Sequence, residues 1–189
     1  MSSSSNLNLT APLRRIILGH DEKGTALFTS DDTLHSVDPT TAPAFNAPKP
    51  DSAFGVIQIH RSRSFPVDNT LPIKEPHRTL VPLADTKGPS ARVLDLMPAE
   101  SGWMHRTLSL DYVVVMKGTV AVRTDGGAET VVKEGDVLVV RGANHEYVNR
   151  GTDVARLFAV VVPSREIEIG GEKLVKTEAG EVFDPPEED

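Results

Sequence analysis

Valine sets the pattern of this chain. Of its 22 valines, 16 fall between residues 91 and 162. There, short β-branched runs alternate with single polar residues and break at turn residues. No 3.6-residue period runs through the region, and the alternation of period 2 predicts strands. They are read at Arg92–Met97, Trp103–Lys117, Thr119–Thr124, Thr130–Lys133, Val137–Val140, Glu146–Asn149 and Val154–Val162. Asp125-Gly126-Gly127 is a hairpin signal, and Glu134-Gly135-Asp136 and Asn149-Arg150-Gly151 mark two further turns. Short strands at such close spacing predict an all-β sandwich or barrel.

The flanks read differently. Strands are expected at Leu13–Leu18 and Thr25–Thr29, with Gly24 at the turn between them, and at Ala53–His60. Residues 36–52 hold four prolines and no period, and Pro66, Pro72, Pro76, Pro82 and Pro89 punctuate residues 62–90. Proline cannot donate into a ladder, so both stretches read as loop or wrapping arm. Residues 164–177 are expected to add a terminal strand or hairpin. The resulting division is an N-terminal arm with flanking strands packing on the barrel (1–90), a core barrel (91–162), and a terminal strand with a flexible acidic tail (163–189).

Composition narrows the chemistry. The chain of 189 residues is 39% hydrophobic and 25% charged, enough for a packed core. It has no cysteine, which removes disulfides, thiolate nucleophiles and Cys-held metals, so any metal must be held by His and carboxylate. The net charge of −7 is concentrated at one end. Residues 178–189 carry six acids and no base, which leaves −1 for residues 1–177. A near-neutral body without a basic stripe argues against nucleic acid. No apolar run approaches the ~20 residues that span a bilayer. Met1–Thr10 has no signal-peptide pattern, and the chain is read as cytoplasmic.

Two segments carry candidate chemistry. On the strand read from Trp103, the polar residues His105, Thr107, Ser109 and Asp111 share parity and hence one face. Met104, Leu108, Leu110 and Tyr112 lie on the other, with Arg106 among them, positioned to pair with an acid or meet another subunit. Tyr112 is read as packing. In the second segment His145, Tyr147 and Asn149 share parity. His60 ends an apolar strand and is the best spare histidine. His20, His35 and His77 read as loop or surface residues. Trp103, two residues before His105, suits either a barrel rim or a substrate contact.

These segments resemble the two motifs of the cupin superfamily. His105 stands for the first motif's leading His, Thr107 where a second His is usual, Asp111 where a Glu is usual, and Gly118 closes it. Gly135-Asp136, His145 and Asn149 match the second motif, with a turn one residue short and Arg141 in place of the usual Pro. The run His105-Arg-Thr-Leu-Ser-Leu-Asp-Tyr, with Arg141-Gly-Ala-Asn-His145, is similar to small cupins of fungal polyketide gene clusters. So are Arg15–Asp21 and Phe54–Asn69. The resemblance implies a jelly roll, or double-stranded β-helix. It implies a tailoring oxidoreductase of secondary metabolism holding a divalent metal, iron or zinc, at His105, Asp111 and His145. Trp103, Thr107 and Tyr147 are read as candidate substrate contacts, with hydrogen bonding within the barrel the other reading of Thr107, and the resemblance implies a homodimer. Two His and one carboxylate suit such a metal, whereas Thr107 is a weak ligand and Asp111 reaches less far than Glu. The same residues without a metal would form an acid–base cluster for dehydration or isomerisation. A non-catalytic binding module is the third reading. The Val-rich barrel favours an apolar or aromatic ligand.

Overall fold

The computed structural model describes residues 10–38, 54–71, 73, 84, 87–99 and 101–177. The expectations for the first nine residues, most of the proline-rich loop, His77 and the acidic tail lie outside them. Among the described residues there are twelve strands and no helix. They are β1 (Leu13–His20), β2 (Ala26–Leu34), β3 (Phe54–Arg61), β4 (Ser90–Leu96), β5 (Ser109–Lys117), β6 (Thr119–Thr124), β7 (Glu129–Lys133), β8 (Val137–Arg141), β9 (His145–Val148), β10 (Ala155–Pro163), β11 (Ile167–Ile169) and β12 (Glu172–Leu174).

A five-stranded sheet in the order β3-β4-β10-β5-β8 faces a three-stranded sheet in the order β7-β6-β9. The chain crosses between the two sheets at β5–β6, β7–β8, β8–β9 and β9–β10, and the pairing of β10 with both β4 and β5 closes a jelly roll. β5 shows why the sequence folds this way. Ser109, Asp111, Val113 and Val115 are buried on one face, while Tyr112 is 45% exposed on the other. The inward valines of β5 join Val120 of β6 and Ala155, Leu157 and Ala159 of β10 in the main core, with Tyr147 of β9 packed against it. Fully burying each such valine or leucine contributes about 1.5–3 kcal/mol. Gly118 joins β5 to β6 at φ 83°, where a Cβ would also sit 3.2 Å from Ala155; both demands select glycine.

Opposite residues across the large sheet define two inward rows. One is Gln58, Arg92, Ala159, Val113 and Leu138; the next is Ser90, Val161, Asp111 and Val140. The outer face of the same sheet carries Ile57 and Val93, which Leu34 of β2 covers together with Leu13 of β1. The β1–β2 hairpin therefore covers that face over β3 and β4. β11 and β12 form a terminal hairpin turned by Gly170 and Gly171.

The structure departs from the sequence reading at two places. The strand expected over Trp103–Lys117 begins only at Ser109, and residues 103–108 touch the sheet through a single bridge at His105. Tyr112, read as packing, faces outward because its strand parity opposes the core.

Outside the core row, Asp95 is wholly buried and receives two hydrogen bonds from Arg156, at 2.6 and 2.9 Å, across the β4–β10 pair. Asp95→Ala should lower unfolding stability by about 3–5 kcal/mol because it strands a partly buried guanidinium. Denaturant unfolding checks this, and pairing the change with Arg156→Met should recover much of the loss.

Candidate functional site

His105 and His145 are placed by backbone pairing. The amide of His105 donates to the carbonyl of His145 at 2.8 Å, and the amide of His145 returns the bond at 2.9 Å. This reciprocal pair sets the two side chains on one face, with ring centroids 4.5 Å apart. Tyr147, two residues on along β9, shares that face, its ring 4.9 Å from His145 and 6.4 Å from His105. Trp103 stacks on the opposite side of His105, with centroids 5.0 Å apart and planes 18° from parallel.

Each imidazole is also fixed in rotation. His105 Nδ1 lies 2.9 Å from the Trp103 carbonyl and His145 Nδ1 2.9 Å from the Ala143 carbonyl. A carbonyl oxygen only accepts, so Nδ1 carries the proton and Nε2 keeps its lone pair. Burial pushes both pKa values below the ordinary histidine range. The charge of His145 adds to the effect at His105, while the Trp103 carbonyl and Asp111 oppose it. Burial thus favours the neutral form of both rings.

Asp111 stands on β5, buried at 8% exposure. Burial raises its pKa, against the opposing pull of Ser109, Arg92, His105 and Thr107. Its Oδ1 is buried without a hydrogen-bond partner. The Ser109 hydroxyl donates to Thr107 Oγ1 at 2.8 Å, so Thr107 is part of a hydroxyl chain beside the carboxyl. Burial, and then the charge of Asp111, raises the Tyr147 pKa and keeps the phenol protonated.

The loop bearing Trp103 is docked by residues that the sequence reading passed over. The Gly102 amide donates to Glu146 Oε2 at 3.0 Å, and Arg123 Nε donates to Glu146 Oε1 at 2.6 Å. A Cβ at Gly102 would lie 2.2 Å from the Tyr147 carbonyl oxygen, so only glycine permits this approach. The motif pattern had singled out Asn149 instead. Asn149 donates to the carbonyls of Leu96 and Asp153 and accepts from the Gly151 amide, which makes it a turn brace.

Gln58, Ser90 and Arg92 also line the inner face, unmarked by any motif. Their signal was a polar residue at an inward parity of an otherwise apolar run. His60 does not join the histidine pair. A bulge puts it opposite Ala91, where burial and the charge of Arg15 lower its pKa. Arg106 pairs with an acid, lying 3.6 Å from Asp125.

The donor set fits a metal only in part. Two pinned imidazoles with open Nε2 atoms suit two positions, since a hydrogen bond at the far nitrogen is how ligand histidines are oriented. Yet among the described residues no three His, Asp or Glu side chains gather closely enough to hold a metal ion. The triad expected at His105, Asp111 and His145 is therefore not assembled. Thr107 supplies no imidazole, and the short Asp111 side chain stays on its own strand with Ser109 and Thr107.

Residues 92–161 match the family model described as cupin domain. The chain is similar to cupins of fungal secondary-metabolite clusters. The phomopsin biosynthesis cluster protein C′ of Diaporthe leptostromiformis is 40% identical over 88 residues, 46% of this chain and 47% of that protein. The cupin-domain-containing oxidoreductase fogC of Aspergillus ruber is 32% identical over 90 residues, 46% of this chain and 44% of that protein. The chain thus spans about half the length of these relatives. An ethanolamine utilization protein Q from Salmonella typhimurium superposes with a TM-score of 0.43 at 14% identity, over 82% of this chain and all of the other. No helix among the described residues is long and apolar enough to cross a membrane.

Trp103 is the chain's only tryptophan, so its emission reports the site unmixed. A protonated imidazole stacked on an indole quenches it. A pH titration should show quenching with a midpoint below the ordinary histidine value of about 6.5. His145→Ala should move that midpoint upward, because it removes a neighbouring charge that disfavours protonation of His105. An unmoved midpoint would contradict the coupling of the two rings.

Proposed function

We propose that the barrel interior is the acid–base site of a small-molecule tailoring enzyme of secondary metabolism, an isomerase or dehydratase acting on a carbonyl compound. The observation that carries this reading is the pair of Nδ1–carbonyl bonds at His105 and His145. They leave two neutral Nε2 lone pairs on one face, beside a buried carboxyl whose burial favours its protonated form. A base and an acid whose environments shift them in opposite directions are what proton transfer at carbon requires.

In the proposed step, one Nε2 removes a hydrogen α to the carbonyl, and the C–H electron pair moves toward the carbonyl as an enolate. For isomerisation, protonated Asp111 gives its proton to the enolate oxygen. For dehydration, it gives the proton to a β-hydroxyl, the C–O bond breaks, and water leaves as the double bond forms. No oxidant or reductant is consumed. Trp103 stacks on His105 from the loop side. The setting in secondary metabolism is carried over from the names of the fungal relatives.

A second reading, a metal-dependent oxidoreductase, is favoured by the same two pinned imidazoles and by the name oxidoreductase that several relatives bear. It requires Asp111 to leave its hydroxyl neighbours and join the histidines.

Exchange of the α-hydrogens of 1-tetralone with deuterium, followed by NMR in the presence of EDTA, separates the two. The acid–base reading expects exchange above buffer that EDTA leaves unchanged. It expects His105→Ala and His145→Ala each to lower exchange by about 10²-fold or more. Exchange that EDTA abolishes and iron or zinc restores would establish the metal reading. No exchange by the wild type would overturn the acid–base reading.

A further inference from the structure

Gln58 is a buried polar side chain that the chemistry above does not use. It is 4% exposed and lies on the inward row of the large sheet, beside Arg92. Its strand bulges between Gln58 and His60, and the bulge leaves carbonyls to be satisfied. The Gln58 amide nitrogen satisfies two of them, donating to the His60 carbonyl at 2.8 Å and the Ala91 carbonyl at 3.1 Å. Both amide hydrogens are thereby spent. This fixes which end of the amide is nitrogen and which is oxygen, because a flipped amide would set its oxygen against two carbonyls. The remaining atom, Oε1, is buried with no hydrogen-bond partner. A buried acceptor in that state is destabilising until a donor reaches it.

Asp111 Oδ1 is in the same condition on the adjacent inward row, three strands away with β4 and β10 in between. Two oriented, unsatisfied acceptors thus look onto one interior from β3 and β5. Arg92 lies on the row of Gln58, on β4 between β3 and β5, its Nη2 donating to Ser90 Oγ at 2.9 Å, and its charge is felt at Asp111. A positive charge beside Gln58 disfavours a cationic donor such as an ammonium and favours a neutral, polarised hydroxyl.

We propose that Gln58 is a specificity-determining residue of the barrel interior, whose carbonyl oxygen accepts a hydrogen bond from a phenolic or enolic hydroxyl of the ligand. The inference deepens the functional reading above and rests on its premise that the interior takes a small molecule. It narrows the ligand from an apolar or aromatic compound to a hydroxylated one, with the hydroxyl held on the β3–β4 wall, away from the histidine pair.

The test uses the full chain and three probes, 2-naphthol, 2-methoxynaphthalene and 2-(aminomethyl)naphthalene, measured by isothermal titration calorimetry at neutral pH. 2-Naphthol should bind about tenfold or more tighter than the methoxy compound, which fills the same space but cannot donate. The ammonium compound should bind more weakly than 2-naphthol. In Gln58→Met the preference for hydroxyl over methoxy should vanish while methoxy binding persists. Should that variant fail to fold, Asp111→Ala serves instead: the preference should persist in it, and its loss would place the acceptor at Asp111 and overturn the role of Gln58. Equal binding of 2-naphthol and 2-methoxynaphthalene overturns the role of Gln58 and leaves the acid–base site standing. A hydroxyl preference that survives in folded Gln58→Met also overturns it, by placing the acceptor elsewhere. Absence of binding by all three overturns it together with the ligand-taking interior.

Discussion

The reciprocal backbone bridge between His105 and His145 is the constraint on which the site depends. It is a single antiparallel bridge from the loop ahead of β5 to the first residue of β9, and it ties that loop to the edge of the three-stranded sheet. Every close contact at the site follows from it. The rings meet because opposite residues in such a pair share a face. Trp103 reaches His105 because it is two residues upstream in a nearly extended segment, and Tyr147 reaches His145 because it is two residues downstream on β9. Glu146 completes the arrangement from the other face of β9, holding the Gly102 amide and the Arg123 guanidinium at once. One side of β9 therefore presents the chemistry and the other anchors the loop that covers it.

The interior is divided by composition. Toward one end, Val113, Val115, Val120 and Leu157 pack into an ordinary apolar core. Toward the other, the same inward parity carries Ser109, Asp111, Ser90, Arg92 and Gln58. Polar groups in such a place destabilise a fold unless they are paired, and here several are paired with one another while two oxygens are not. A barrel selected only for stability would fill these positions with valine, as it does one or two rows further along. The unsatisfied acceptors and the neutral imidazoles are better explained as provision for a ligand than as packing.

Much of this was legible in the sequence. Period-2 alternation located β4 and β6 through β10 to within a residue or two, because strands with one buried face must alternate. The same parity put Ser109 and Asp111 on the inward face of β5, with Thr107 hydrogen-bonded to Ser109, even though the strand proper starts only at Ser109. What alternation could not show was which residues from distant strands stand side by side. Gln58 and Arg92 became part of the site only through register across β3, β4 and β10, which no local pattern encodes. His60 was misjudged for the same kind of reason, since a bulge turned it toward Arg15 and a bulge leaves little trace in composition. The expected three-ligand metal set depended on side-chain reach, and a carboxyl one methylene shorter, drawn to its own strand's hydroxyls, did not complete it.

The central claim is that His105 and His145 both carry their proton on Nδ1 and offer a bare Nε2 to the interior. Long-range ¹H–¹⁵N correlation of the imidazole rings in ¹⁵N-labelled protein at neutral pH reads this directly, with His105→Ala and His145→Ala assigning the signals. The account predicts that both rings show a protonated Nδ1 and an unprotonated Nε2 in metal-free buffer. A ring protonated at Nε2 alone, or an imidazolium at either position, would contradict it.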